Sequence, residues 1–215
     1  MTGGDDMSEL PAAVLATAKA MNVERLNRGA AGNVSVRCGD GFLITPTGMA
    51  YDACASEDVV FMGLDGRIDG RRKPSSEWRF HRDIYAARPE AGAIVHAHAP
   101  FAVSLACMGM AIPPFHYMVA RFGGIDVRCA DYATFGSQEL SSAVVTALAD
   151  RCACLMAHHG MVVFGRHLDH ALALAVELEA LCEQYWRVLQ IGAPRLLTLG
   201  EMARVLEKFA DYGRQ

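Results

Sequence analysis

The chain has 215 residues, 52% hydrophobic and 20% charged, which is enough apolar material for one sizeable core. A net charge of −4 argues against a nucleic-acid surface, while leaving room for a small anion pocket. No run approaches the ~18 apolar residues of a membrane helix, and the acidic, Gly-rich start lacks the order of a signal peptide.

Residues 1–9 are expected to be disordered and residues 10–215 to form a single domain, in the cytoplasm. Leu10 to Met21 is Ala-rich with helical apolar spacing and Pro11 near its start, so it reads as a helix. Asn33 to Arg37 and Phe42 to Ile44 flank a Gly-rich turn and predict a hairpin; Val59 to Leu64 and Arg67-Ile68 predict a second across Asp65-Gly66. Glu77 to Ala87 has helical spacing and stops before Pro89. Ile94 to His98 reads as a buried strand, Phe101 to Cys107 as a short helix and Ser137 to Asp150 as a longer one. Strands are expected at Cys154 to Ala157 and Met161 to Phe164, then a long helix from Asp169, its early cap, to Gln190. Its Leu172, Val176 and Ala180 form a packing stripe, with Glu179 facing away. Glu201 to Ala210 closes the chain as a helix. Hairpins mixed with helices suggest α/β or α+β layers on a largely antiparallel sheet. Seven cysteines without a Cys-x-x-Cys pair predict reduced, mostly buried thiols.

Three segments carry metal-binding side chains: Glu77 after Pro74-Ser75-Ser76, His96 and His98 two apart, and His158-His159-Gly160. Residues two apart on a strand share a face, with Cα atoms about 6.5–7 Å apart, so two imidazoles can converge on one ion. By itself the pair fits a structural role as well as a ligand role; His159 is the candidate third ligand. Three neutral imidazoles plus a carboxylate suit a divalent zinc with a position that opens to substrate. Cobalt or manganese would also fit.

Three further segments suit an anion. Gly29-Ala30-Ala31-Gly32-Asn33 offers flexible backbone amides, Thr47-Gly48 a hydroxyl and an unhindered amide, and Ser75-Ser76 stand at a helix start. Each alone also reads as turn or cap chemistry. No Walker or dinucleotide fingerprint is present.

Taken in order, Gly32-Asn33-Val34-Ser35, Thr45-Pro46-Thr47-Gly48, Pro74-Ser75-Ser76-Glu77, His96-x-His98 and His158-His159-Gly160 resemble the class II aldolase/epimerase family. Phe115-His116-Tyr117-Met118, Tyr132-Ala133-Thr134-Phe135-Gly136 and the tail from Leu206 to Gly213 extend the resemblance over nearly the whole chain. It implies a three-layer α/β/α subunit with a mostly antiparallel central sheet, in a C4 homotetramer. It implies one zinc per subunit on His96, His98 and His159, with Glu77 resting on the metal until substrate displaces it to act as acid/base. Gly32, Asn33, Thr47, Gly48, Ser75 and Ser76 would hold the phosphate of a small sugar substrate. Tyr117, from a neighbouring subunit, would handle the aldehyde oxygen. Phe135 and Tyr212 would shape the aldehyde pocket, the tail forming a cover. The activity implied is cleavage of a ketose 1-phosphate, L-fuculose 1-phosphate or a similar sugar, to dihydroxyacetone phosphate and a small aldehyde through a metal-stabilised enediolate.

Alternatives within the resemblance are sugar-phosphate 4-epimerases, dehydratases and decarboxylases; epimerases of this kind usually carry Asp where Glu77 stands. A non-catalytic adducin-like interaction module would lack the ligand set. Lys19, Lys73 and Lys208 are the only lysines, and none has an apolar setting suited to a Schiff base. Arg121, near Tyr117, puts bulk and charge where the aldehyde preference could be set, or is a surface or interface arginine.

Overall fold

A computed structural model describes residues 9–211. The disorder expected at the N-terminus falls on residues of which 1–8 lie outside this range, and Tyr212 lies outside it too.

Among the described residues eight strands form one sheet: β1 (Asn33–Cys38), β2 (Gly41–Ile44), β3 (Val60–Gly63), β4 (Ile68–Asp69), β5 (Ala93–Ala97), β6 (Arg128–Ala130), β7 (Ala153–Met156) and β8 (Gly160–Gly165). Their order is β4-β3-β2-β1-β5-β8-β7-β6. All neighbours are antiparallel except β6 and β7, which run parallel. Among the described residues six helices accompany them: α1 (Leu10–Val23), α2 (Trp78–Ala87), α3 (Pro100–Cys107), α4 (Gln138–Ala147), α5 (Leu168–Ile191) and α6 (Leu199–Asp211). Both sheet faces are covered, so the central strands read as apolar runs rather than clean alternations. On one face Val34, Val95, Leu155 and Val163 pack with α1, α3 and α5. On the other, Ile94, Cys154, Val162 and Phe164 pack with Phe80 and Ile84 of α2 and Leu140 and Val144 of α4. The architecture is mixed α/β with a mostly antiparallel sheet.

Several expectations shift. β6 was not foreseen: three residues carry too short a pattern to register, and its parallel pairing with β7 depends on residues far apart in the chain. α4 ends at Ala147, before the expected Asp150, which instead adopts φ 59° beyond the helix. The cap of α5 is His167, whose ring accepts from the His170 amide at 3.2 Å, not Asp169. Glu179 does not face away. Its carboxylate accepts the Phe101 and Ala102 amides at 2.8 and 2.9 Å, satisfying the open N-terminus of α3. Burial raises its pKa, against the pull of those two amides. The fully buried stripe of α5 is Ala171, Leu174, Ala175, Leu178, Leu181 and Cys182, with Leu172, Val176 and Ala180 half-buried beside it. The seven cysteines are free, and one of them, Cys107, is exposed. No helix among the described residues is long and apolar enough to cross a membrane.

Candidate metal and anion site

β1, β5 and β8 lie side by side at the sheet centre, and their ends carry the site. Register places Asn33 opposite His96, and His96 opposite Val162. His98 stands just past the end of β5. His159 stands just before β8, in a tight turn closed by its amide on the Met156 carbonyl at 3.0 Å. His158 takes φ 55° there, a left-handed conformation uncommon for a non-glycine residue. The next residue must be small: a Cβ on Gly160 would meet the Ala97 carbonyl oxygen at 2.4 Å and the His98 ring at 3.1 Å.

Glu77 is the cap residue of α2, but its side chain does not cap the helix. It turns inward to the imidazoles. Its Oε2 lies 3.0 Å from His96 Nε2 and its Oε1 3.1 Å from His159 Nε2. His96 Nε2 lies 3.0 Å from His98 Nε2. The four ligand atoms of Glu77, His96, His98 and His159 all fall within 4.8 Å of one another.

This donor set fits a divalent cation. His96 Nδ1 donates to the Met161 carbonyl at 2.8 Å, which leaves Nε2 of the neutral ring as a lone pair. That lone pair faces a carboxylate oxygen and a second imidazole, an arrangement that a positive ion relieves. Oε1 of Glu77 is buried and lacks a hydrogen bond. Burial raises the Glu77 pKa, but His96 and His159, whenever they present a proton to it, outweigh that and hold it well below the usual carboxylate range. Burial, then the neighbouring imidazoles, lowers His98 to about 4, although part of the residue reaches solvent. Neutral imidazoles and an ionised carboxylate are the protonation states that ligate.

Three loops close on the same place. Pro46 bridges Pro74, the Thr47 amide donates to the Lys73 carbonyl at 3.1 Å, and the Ser75 amide donates to the Thr45 carbonyl at 3.0 Å. The Tyr51 hydroxyl donates to the Gly32 carbonyl at 2.7 Å, tying in the glycine-rich segment. The result is a cavity of about 200 Å³ lined by Gly32, Asn33, Thr47, Gly48, Ser75, Ser76, Glu77, His98, His159 and Phe135, among others. His96 is buried behind it.

Tyr117 is not brought to this cavity. It opens a short 3-10 helix, Tyr117–Phe122, and lines a separate hollow of about 900 Å³ with Phe115, Arg121, Arg204 and Phe209. Arg121 is half-buried there, 3.8 Å from Glu177.

Asn33, expected to hold phosphate, has further partners here, and His81, Tyr85 and Asn27 escaped the sequence reading. The Asn33 side chain donates to Ser75 Oγ at 3.0 Å and to Glu77 Oε2 at 3.1 Å, so its amide hydrogens are spent within the protein. His81 and Tyr85 lie beneath, and Asn27 Oδ1 accepts the His98 amide at 2.8 Å. The spacing Glu77, His81, Tyr85 repeats every four residues, a one-face helical signal that could have flagged them. Asn27 had no such signal.

The model of the class II aldolase and adducin N-terminal domain family matches residues 12–186. The chain is 58% identical over 188 residues to a 5-methylthioribulose-1-phosphate/5-deoxyribulose-1-phosphate aldolase of Rhodospirillum rubrum, covering 87% of this chain and 85% of that one. It is 44% identical over 209 residues to an L-fuculose phosphate aldolase of Escherichia coli K12, covering 97% of each. A solved L-fuculose 1-phosphate aldolase superposes with a TM-score of 0.91 at 34% identity, covering 94% of this chain and 97% of that one.

Proposed function

This chain belongs to the class II aldolase and adducin N-terminal domain family, and from that premise we propose that it is a zinc-dependent aldolase. It cleaves a ketose 1-phosphate to dihydroxyacetone phosphate and a short aldehyde. The observation that carries the reading is the buried Glu77 carboxylate, within 3.1 Å of His96 and His159, beside a cavity walled by three amide- and hydroxyl-bearing loops.

When bound by His96, His98, His159 and Glu77, zinc would supply Lewis-acid stabilisation of the charge that develops on the donor oxygens. The loops at Gly32, Thr47-Gly48 and Ser75-Ser76 hold the phosphate and turn remote binding energy into orientation. Glu77, ionised and acceptor-only, takes the C–H proton of the donor carbon in synthesis and returns it in cleavage. Tyr117 takes the hydroxyl proton as the carbon–carbon bond breaks. Its separation from Glu77 within one chain supports delivery from a neighbouring copy, in a C4 homotetramer.

We further propose that the aldehyde ends in an apolar group. Phe135 is 68% exposed and Tyr132, edge-on to His158, is 63% exposed. Rings so placed favour a methyl or thioether end over a polyol. The two sugars in the name of the Rhodospirillum relative would release such aldehydes.

Dihydroxyacetone phosphate in D2O with zinc-loaded protein tests the reaction. Stereospecific exchange of one hydroxymethyl proton is expected; none, with zinc bound, sinks the aldolase reading. The sugars then rank by kcat/KM: 5-methylthioribulose and 5-deoxyribulose 1-phosphates should exceed ribulose 1-phosphate, whose aldehyde ends in a hydroxyl, and the reverse order removes the apolar-end proposal.

A further inference from the structure

Below Glu77 runs a continuous buried chain of polar side chains that the reaction as described does not use. Asn33 Nδ2 meets Glu77 Oε2 at 3.1 Å and Ser75 Oγ at 3.0 Å. Asn33 Oδ1 lies 2.5 Å from His81 Nε2, His81 Nδ1 lies 2.7 Å from Ser35 Oγ, and Ser35 Oγ lies 2.9 Å from the Tyr85 hydroxyl. Asn33, Ser35, His81 and Tyr85 are each no more than 2% exposed. Polar groups this deep are costly unless every partner is supplied.

One constraint sets the direction of every link. An ionised carboxylate only accepts, so the NH2 group of Asn33 must face Glu77, and the amide oxygen must face His81. His81 Nε2 therefore carries the proton, and Nδ1 is an acceptor. Ser35 donates to Nδ1 and in turn accepts from Tyr85. The Tyr85 end is fixed by packing: its ring lies 5.1 Å from Phe42, the Arg37 guanidinium lies 4.8 Å over it, and Arg37 donates to its carbonyl at 2.9 Å. Without a donor at His81, the oxygen end of the Asn33 amide loses its anchor, and only the contacts of its NH2 group with Glu77 and Ser75 hold it in place.

We propose that His81 is a positioning residue: through Asn33 and with Ser35 and Tyr85, it fixes the amide that aims Glu77 into the cavity. The chain links α2 to β1, so Glu77 is held from both the helix that bears it and the strand beneath it. This inference rests on Glu77 as the acid/base group of the proposed reaction. It gives Asn33 a task distinct from holding phosphate.

Two measurements test it. Ring 15N NMR of histidine-labelled protein, metal-free and zinc-loaded, should show His81 as the neutral Nε2–H tautomer in both; an Nδ1–H tautomer overturns the assignment whether or not the protein is an aldolase. Kinetics follow on wild-type protein shown to exchange the donor proton. His81→Phe should keep zinc and KM near wild type while kcat falls roughly 10–100-fold. His81→Gln, whose amide reaches the Nε2 position, should recover most of that loss. Full kcat in His81→Phe, or no recovery in His81→Gln with zinc bound, overturns the proposal. If His81→Phe does not fold, Ser35→Ala serves: a several-fold loss of kcat at constant KM supports the relay, and unchanged kcat overturns it. Absence of exchange in the wild type would instead fault the reaction assigned, with the tautomer still deciding the relay.

Discussion

Glu77, Asn33, Ser75, His81 and His96 are buried, whereas Tyr117 and Phe135 stand 50% and 68% exposed, on two different hollows. The first region is held by strands in register and by loops bonded to one another, so its geometry is complete within one chain. The second has side chains without comparable support. In the proposed reaction this divides the labour. The half that activates dihydroxyacetone phosphate demands rigid placement of charge. The half that receives the aldehyde needs only an apolar wall and one hydroxyl, and can wait for a neighbouring copy.

Breaking the first half should have the largest effect. Glu77→Gln keeps shape and loses the base, so turnover should fall by roughly 10²–10⁴-fold with metal retained; near-normal rates would end its acid/base role. His159→Ala should lower metal content, and full zinc occupancy in that variant would mean another group is the ligand. Gly32→Ala should cost roughly 1–3 kcal/mol in a chemical melt. Gly32 has φ 72°, and a Cβ there would meet Asn27 Nδ2 at 2.3 Å and the His96 carbonyl oxygen at 2.4 Å. Wild-type stability in Gly32→Ala would show that the β1–β5 end is looser than its contacts indicate.

Acid should expose the same rigidity. Burial, then the nearby His96, lowers His81 from its ordinary 6.5 to about 3, against an opposing pull from Glu77. The native ring stays neutral where the unfolded ring binds a proton, so its contribution is whole above pH 6.5 and is lost as pH falls toward 3. Metal-free protein should therefore be about 2 kcal/mol less stable at pH 5 than at pH 7 from this group. His81→Gln should flatten that slope, and an unchanged slope would assign the acid sensitivity elsewhere. The smallest change is expected in the open half. Tyr117→Phe should lower cleavage on the order of tenfold while leaving proton exchange of dihydroxyacetone phosphate intact. Loss of exchange as well would mean that the two regions are coupled.

The ligand set was legible because each ligand sits in a short segment with its own signal: a two-residue strand repeat, a turn ending in glycine, and a serine pair before a helix. The loops proposed to hold phosphate were visible for the same reason, as glycines and hydroxyls gathered in turns. Glu179 was misread because helical spacing tells which face a residue occupies, not whether another helix end lies there to be capped. Asn33 was read as a phosphate-binding candidate but not as a partner of Glu77, 44 positions away.

Local pattern thus determined every strand but β6, most helix bounds and the identity of the candidate site residues, because backbone preference and side-chain period act over a few residues. Tertiary structure alone decided the pairing of β6 with β7, the cap on α3, the separation of Tyr117 from Glu77 and the direction of the Asn33–His81 relay. Those depend on which distant buried polar groups must satisfy one another once water is excluded, a condition that no local stretch of sequence carries.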